Sequence, residues 1–141
     1  MLEEHWEMEK EFVKKLDRSL RISPTGSHAA VVLFADEAKL AIKFNDYPTV
    51  HSFESAIDRI TRLGGGTRID KGLEVAYNEL FKEANGMRHD SNKYLILITD
   101  GKQDGLDYNE WSNKFARENI KVIVIGVGEV NTRDLLKLVV V

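Results

Sequence analysis

The sequence has no cysteine, only two prolines and no long uninterrupted apolar run. Without cysteine the chain can form neither a disulfide framework nor a thiolate metal site, and it has no cysteine nucleophile. Its apolar runs are shorter than the ~18 residues that cross a membrane. The acidic amino end, MLEEHWEMEKEF, lacks the apolar region of a secretory signal, so we expect an intracellular protein or part of a longer chain.

The sequence also lacks a large excess of one charge. Its 20 basic and 23 acidic residues give a net charge of -3, which is too near neutral for a surface that tracks phosphates. Nucleic acid is therefore not an expected partner. A chain of 141 residues, of which 43% are hydrophobic, fits one domain with one core, and we assign residues 1–141 to a single domain.

Hydrophobic periodicity predicts alternating helices and strands. Apolar residues at three- and four-residue steps indicate helices, and continuous apolar runs indicate buried strands. The predicted apolar stripe of the first helix is Trp6, Met8, Phe12, Val13, Leu16 and Leu20, and that of the helix from 69 is Leu73, Ala76, Tyr77, Leu80, Phe81 and Ala84. The short DEA sequence between the first two strands predicts a hairpin, and the glycine run 64–66 is expected to end the second helix. The predicted order is helix 5–20, strand 29–35, strand 39–45, helix 52–63, a helix from 69, strand 94–101, helix 106–119, strand 120–128 and a further helix within 132–141.

This order predicts an α/β fold: an open, doubly wound, mostly parallel sheet with helices on both faces. Ligands of such sheets bind beyond the carboxyl ends of the strands. Asp100 ends one of the apolar strands and is followed at once by Gly101, so it is expected at this edge. The alternative is a turn aspartate that accepts hydrogen bonds from nearby backbone amides.

The stretch LGGGTRIDKG gives Thr67 several interpretations. Its hydroxyl could cap the following helix, with Asp70 three residues later completing a capping box. A phosphate cradle is a weaker reading, because there is no GxxxxGK[ST] motif and Lys71 follows the turn. In the third reading, the Thr67 hydroxyl and the Asp100 carboxylate converge as hard oxygen ligands suited to Mg²⁺.

Motifs of catalysis are not found in the sequence. The four histidines lie far apart and lack the spacing of a zinc site. There is no GxSxG nucleophile elbow, and GVGEVN lacks the third glycine of a dinucleotide fingerprint. We therefore predict that the protein is not an enzyme.

Four segments together resemble the von Willebrand factor type A domain, also called the integrin inserted domain. They are HAAVVLFADEAKLAIKFN, LGGGTRIDKGLEVA, YLILITDGKQDG and KVIVIGVGEVN, in matching order. The resemblance is greatest to matrilins and the A domains of collagens. It implies a protein-binding or adhesion module that is secreted or part of the extracellular matrix. An intracellular A domain that acts as a scaffold in a multiprotein complex is the alternative, and a purely structural or dimerising unit is a third.

The resemblance also implies a metal-ion-dependent adhesion site for Mg²⁺, Mn²⁺ or Ca²⁺. Thr67 matches its threonine ligand and Asp100 its aspartate ligand, and an acidic side chain of a protein ligand would complete the coordination. The DxSxS loop that carries the other ligands has no counterpart in the sequence. With one neutral and one charged ligand, we expect weak or absent metal binding.

The family orders its strands 3-2-1-4-5-6, and the sequence has no counterpart of the first strand or of the last strand and helix. The first strand is central. Its neighbours, predicted at 29–35 and 94–99, should therefore face each other across a gap of one strand spacing, ~5 Å, on each side. A rearranged sheet, a strand from a partner, self-association or marginal stability is expected, because unpaired buried backbone groups are costly.

Overall fold

The computed structural model describes residues 3–63, 66–99 and 105–126 of the chain. Within these ranges, helices and strands alternate largely as predicted. In chain order they are α1 (Glu3–Leu20), β1 (Val31–Phe34), β2 (Ala38–Ile42), α2 (Val50–Arg59), α3 (Ile69–Val75), β3 (Lys93–Thr99), α4 (Tyr108–Arg117) and β4 (Ile120–Gly126). The helix predicted within 132–141 lies outside the described residues. None of the described helices is long and apolar enough to span a membrane.

The helix α2 begins earlier and ends earlier than the sequence predicts. Thr49 caps it, because its hydroxyl accepts a hydrogen bond from the Ser52 backbone amide while the Ser52 side chain accepts one from the Thr49 amide. The helix ends at Arg59, since Ile60 already has extended backbone angles. The prediction that the glycine run stops this helix was therefore wrong.

The third helix continues past α3 in a different geometry. A π-helical segment, Ala76–Leu80, follows directly and keeps the apolar stripe facing inward, with Leu73, Ala76 and Leu80 all buried. Gly72 lies within α3 where Phe34 of β1 packs against it; a Cβ at this position would come within 2.9 Å of the Phe34 ring. The missing side chain allows the helix to approach the strand closely.

The four strands form two separate pairs rather than one sheet. The strands β1 and β2 pair antiparallel as the predicted hairpin, and β3 pairs with β4 in parallel from Lys93↔Ile120 to Thr99↔Gly126. No hydrogen-bonded ladder joins the two pairs among the described strands. Among the strands that the structure describes, the sheet is therefore interrupted between β1 and β3, at the position where the sequence predicts a break.

Two clusters of buried apolar residues pack against the strands. The first contains α3, the π-helical segment, α4, β3 and β4, with Ile69, Phe115 and Val122 fully buried. The second joins α2 to the hairpin through Phe53, Ile57 and Ile42, and Val13 of α1 packs against it. Val31 packs against the second cluster and Val32 against the first. Because neighbouring strand residues point to opposite faces, helices lie on both sides of β1.

The long helix α1 is attached mainly to α2. Lys14 contacts Asp58 at 2.9 Å and Arg18 contacts Glu54 at 2.6 Å, both between exposed or partly exposed side chains. Two members of its predicted apolar stripe are not buried: Met8 is 55% and Leu20 is 43% exposed. The stripe prediction was wrong at these two positions, and α1 packs against the domain through a narrower face.

Candidate functional site

A cavity of about 820 Å³ lies where the sheet is interrupted. Residues 26–35, which include β1, and residues 91–99, which include β3, border it without a break in either run. Residues of α1, of α2 and of α3 with its π-helical continuation also line it. Most of the lining residues are apolar, and the polar ones carry both signs of charge: Glu9 and Asp17 are acidic, and Lys10, Arg62, Arg88 and Lys93 are basic. Thr67 and Thr99 add hydroxyl groups.

Thr67 is half-buried and lines this cavity. The N-cap of α3 is Arg68, and no side chain makes a capping hydrogen bond there. The prediction that the Thr67 hydroxyl caps the helix with Asp70 was therefore wrong. Instead, the Arg68 guanidinium binds the Asp70 carboxylate through two hydrogen bonds of 2.9 and 2.8 Å. The Thr67 hydroxyl therefore makes no capping hydrogen bond to α3.

The loop that carries Thr67 is fastened to the end of β1. The Arg68 amide donates to the Ala35 carbonyl oxygen at 2.8 Å. The Gly66 amide donates to Oδ1 of Asp36 at 2.7 Å, and a Cβ on Gly66 would come within 2.9 Å of that oxygen. A side chain at Gly66 would therefore require the Asp36 carboxylate to shift. Asp36 was missed by the sequence analysis, although an acidic residue just after a buried strand is the same signal that singled out Asp100.

The second predicted ligand, Asp100, lies outside the described residues. Thr99, the last residue of β3, is 1% exposed and borders the same cavity as Thr67. The loop before α3 and the carboxyl end of β3 therefore both reach this cavity. This is the edge at which parallel sheets bind ligands.

The described residues alone do not make a complete metal site. They contain no group of three or more histidine, aspartate or glutamate side chains that could hold an ion. Thr67 adds one neutral hydroxyl, and the Asp36 carboxylate is already bound to the Gly66 amide. Because Mg²⁺ takes six oxygen ligands, this set needs further ligands from elsewhere.

The buried carboxylate of Asp17 is a second feature of the cavity wall. Asp17 is 2% exposed, and neither of its carboxylate oxygens has a hydrogen-bond partner among the described residues. Burial, and after it the nearby Glu54 carboxylate, raises the pKa of Asp17 from 3.8 to about 6, although Arg18 opposes the rise. Sequence analysis missed this residue, although it lies four positions after Val13, at the helical spacing of the apolar stripe.

Comparison with known proteins identifies the family. The chain matches the von Willebrand factor type A domain over residues 1–140. It is 33% identical to mouse integrin alpha-M over 84% of this chain and 10% of that protein, and 32% identical to the chicken collagen alpha-2(VI) chain over 77% of this chain and 11% of that protein. The chain thus spans about a tenth of the length of these two relatives.

A solved structure of another protein has a similar fold and an occupied metal site. Proximal thread matrix protein 1 from the mussel byssus, solved with zinc in its metal-ion-dependent adhesion site, matches with a TM-score of 0.88. It is 31% identical, over 98% of this chain and 37% of that one. From the family match and these similarities, the chain belongs to the von Willebrand factor type A domain family.

Proposed function

We propose that the chain is a non-enzymatic protein-binding module of an extracellular matrix or cell-surface protein. In this proposal Thr67 and Asp100 hold a divalent ion at the carboxyl edge of the strands, and an acidic side chain of a protein ligand completes its coordination. The observation that carries the proposal is the Thr67 hydroxyl, which lines the cavity and does not cap α3. Relatives among integrins and collagens support an adhesive role.

The ion and the protein ligand should bind together in this site. Thr67 is neutral, so Asp100 would supply the only negative charge from the two proposed ligands. Mg²⁺ and Mn²⁺ prefer oxygen ligands, and a carboxylate from a partner adds both a ligand and a charge. We therefore propose that ion binding is weak alone and strengthens when the carboxylate is present, with equal coupling in both directions.

Calorimetric titration tests this coupling. Mn²⁺ is titrated into the chain alone, with a short peptide that carries one glutamate, and with the same peptide carrying glutamine. We expect an ion affinity weaker than micromolar for the chain alone. The glutamate peptide should strengthen it at least about tenfold, which corresponds to about 1.4 kcal/mol. Micromolar affinity without peptide, or equal effects of the two peptides, would contradict the proposal.

Two matched threonine variants identify the site. Thr67→Val removes the hydroxyl with little change in shape, and we expect it to abolish the strengthening by the glutamate peptide. Thr61→Val changes an exposed threonine that precedes the glycine run and should leave the titration unchanged. If Thr67→Val also leaves the titration unchanged, Thr67 is not a ligand. Localisation of the natural protein in the cytosol would favour an intracellular scaffold instead.

A further inference from the structure

The loop that carries Thr67 is tied to the turn between β1 and β2 on both sides of that residue. The amide before it, of Gly66, donates a hydrogen bond to Oδ1 of Asp36 at 2.7 Å. The amide after it, of Arg68, donates to the Ala35 carbonyl oxygen at 2.8 Å. Since both neighbours of Thr67 are held by the same turn, the direction of the Thr67 side chain depends on these two hydrogen bonds.

The two hydrogen bonds differ in what the sequence must supply. Every residue has a carbonyl oxygen, so the acceptor at Ala35 does not depend on the side chain there. The hydrogen bond from Gly66 needs an acceptor at the end of a side chain, which Asp36 provides. Because this acceptor is a carboxylate, the bond is charge-assisted and about twice as strong as one between neutral groups. Asp36 is therefore the side chain on which the position of the loop depends.

A further contact of the same turn reaches α3 instead of the loop. Lys71 Nζ lies 2.7 Å from Oε1 of Glu37, whose side chain is 80% exposed, so this ion pair contributes little to stability. Asp36 and Glu37 are adjacent, exposed and equal in formal charge. They differ in what they bind, and they therefore form a matched pair for an experiment.

We propose that Asp36 is a positioning residue for the ion and its protein ligand. Through Gly66 it holds the Thr67 hydroxyl where this hydroxyl can bind a divalent ion together with the carboxylate of the ligand, a role that rests on the function proposed above. A loop that is ordered before binding avoids an entropy cost that binding would otherwise carry. Loss of the acceptor at Asp36 should therefore weaken the coupled binding of ion and ligand.

Calorimetric titration of Mn²⁺ in the presence of the glutamate peptide compares three variants with the parent chain. Asp36→Ala removes the acceptor, and we expect the Mn²⁺ affinity to fall at least about tenfold. Asp36→Asn keeps an oxygen acceptor without the charge, and its affinity should stay within about threefold of the parent value. Glu37→Gln removes the same charge from the adjacent residue and should leave the affinity unchanged. Urea denaturation verifies that each variant is folded.

Amide hydrogen exchange of Gly66, followed by NMR without ion or peptide, tests the hydrogen bond itself. A hydrogen-bonded amide exchanges only when the bond opens. Exchange at Gly66 should therefore become at least about tenfold faster in Asp36→Ala and change little in Asp36→Asn or Glu37→Gln. This measurement needs no bound ion, so it reports on the loop even if the function proposed above is wrong.

The role of Asp36 is refuted if Asp36→Ala binds Mn²⁺ as the parent chain does, or if the exchange of Gly66 is the same in both. It is also refuted if Asp36→Asn loses as much affinity as Asp36→Ala, because Asp36 then acts through its charge. The function proposed above still stands in these cases, since the glutamate peptide strengthens ion binding to the parent chain. Without that strengthening in the parent chain, the proposed function fails and the role of Asp36 fails with it.

Discussion

The buried Asp17 carboxylate predicts that its neutralisation stabilises the isolated chain. Asp17→Asn keeps the shape of the side chain and removes the charge that burial and Glu54 disfavour. A pKa change of one corresponds to about 1.4 kcal/mol, so the rise from 3.8 to about 6 corresponds to about 3 kcal/mol at pH 8. The buried amide is still polar, and its own burial cost leaves a net gain of about 1–2 kcal/mol.

The sign of this effect fixes its pH dependence. The pKa of Asp17 is higher in the folded than in the unfolded chain, so protonation favours the folded state. Below pH 3.8 the group is mostly neutral in both states and causes no penalty. The penalty grows as the pH rises and is complete above pH ~6, with about half of it present at pH 5. The advantage of the variant should therefore be about 1.5 kcal/mol smaller at pH 5 than at pH 8.

Urea denaturation, followed by tryptophan fluorescence at pH 5 and pH 8, measures this difference. The charge change alone is controlled by Asp90→Asn, which should have the stability of the parent chain at both pH values. The reasoning is refuted if Asp17→Asn is less stable than the parent at pH 8, or if its advantage does not depend on pH.

Two further substitutions test the packing and the capping described above by urea denaturation. Gly72→Ala places a Cβ within 2.9 Å of the Phe34 ring. We expect the free energy of unfolding to fall by about 1–2 kcal/mol, because the crowding exceeds the gain in helix propensity of up to ~1 kcal/mol. A gain in stability would contradict this close packing, and Glu74→Ala is the control on the exposed face of α3. Thr49→Ala removes the cap of α2 and should lower the free energy of unfolding by about 1 kcal/mol, whereas Thr49→Ser should retain most of the stability. Equal losses in both Thr49 variants would refute the capping role.

Helices and strands could be told apart in the sequence because buried residues recur at the spacing of each type of element. Apolar residues in β3 and β4 form continuous runs, and the stripe that includes Leu73, Ala76 and Leu80 is buried as predicted. The end of α2 could not be predicted in this way, since it depends on the extended backbone of Ile60 rather than on the glycines that follow.

The candidate site was predicted only in part, because its geometry depends on contacts between distant residues. Thr67 does line the cavity, as a position at the strand edge requires. The hydrogen bond that holds its loop joins Gly66 to Asp36, thirty positions earlier in the chain, and no local pattern predicts such a pair. The burial of Asp17 likewise depends on how α1 lies against α2 and the cavity. That Thr67 and Asp100 share an ion is still a prediction.

Both faces of β1 are held by packing, whereas α1 is held less firmly. The hairpin contributes to both hydrophobic clusters, because Val31 packs against the cluster of α2 and Val32 against the cluster of α3. The ion pairs of α1 with α2 join exposed or partly exposed side chains and contribute at most about 1 kcal/mol each, so they add little to the attachment of α1. Asp17 is almost wholly buried, so the cost of its charge opposes the packing of α1 in the isolated chain, and the substitution Asp17→Asn should remove that cost.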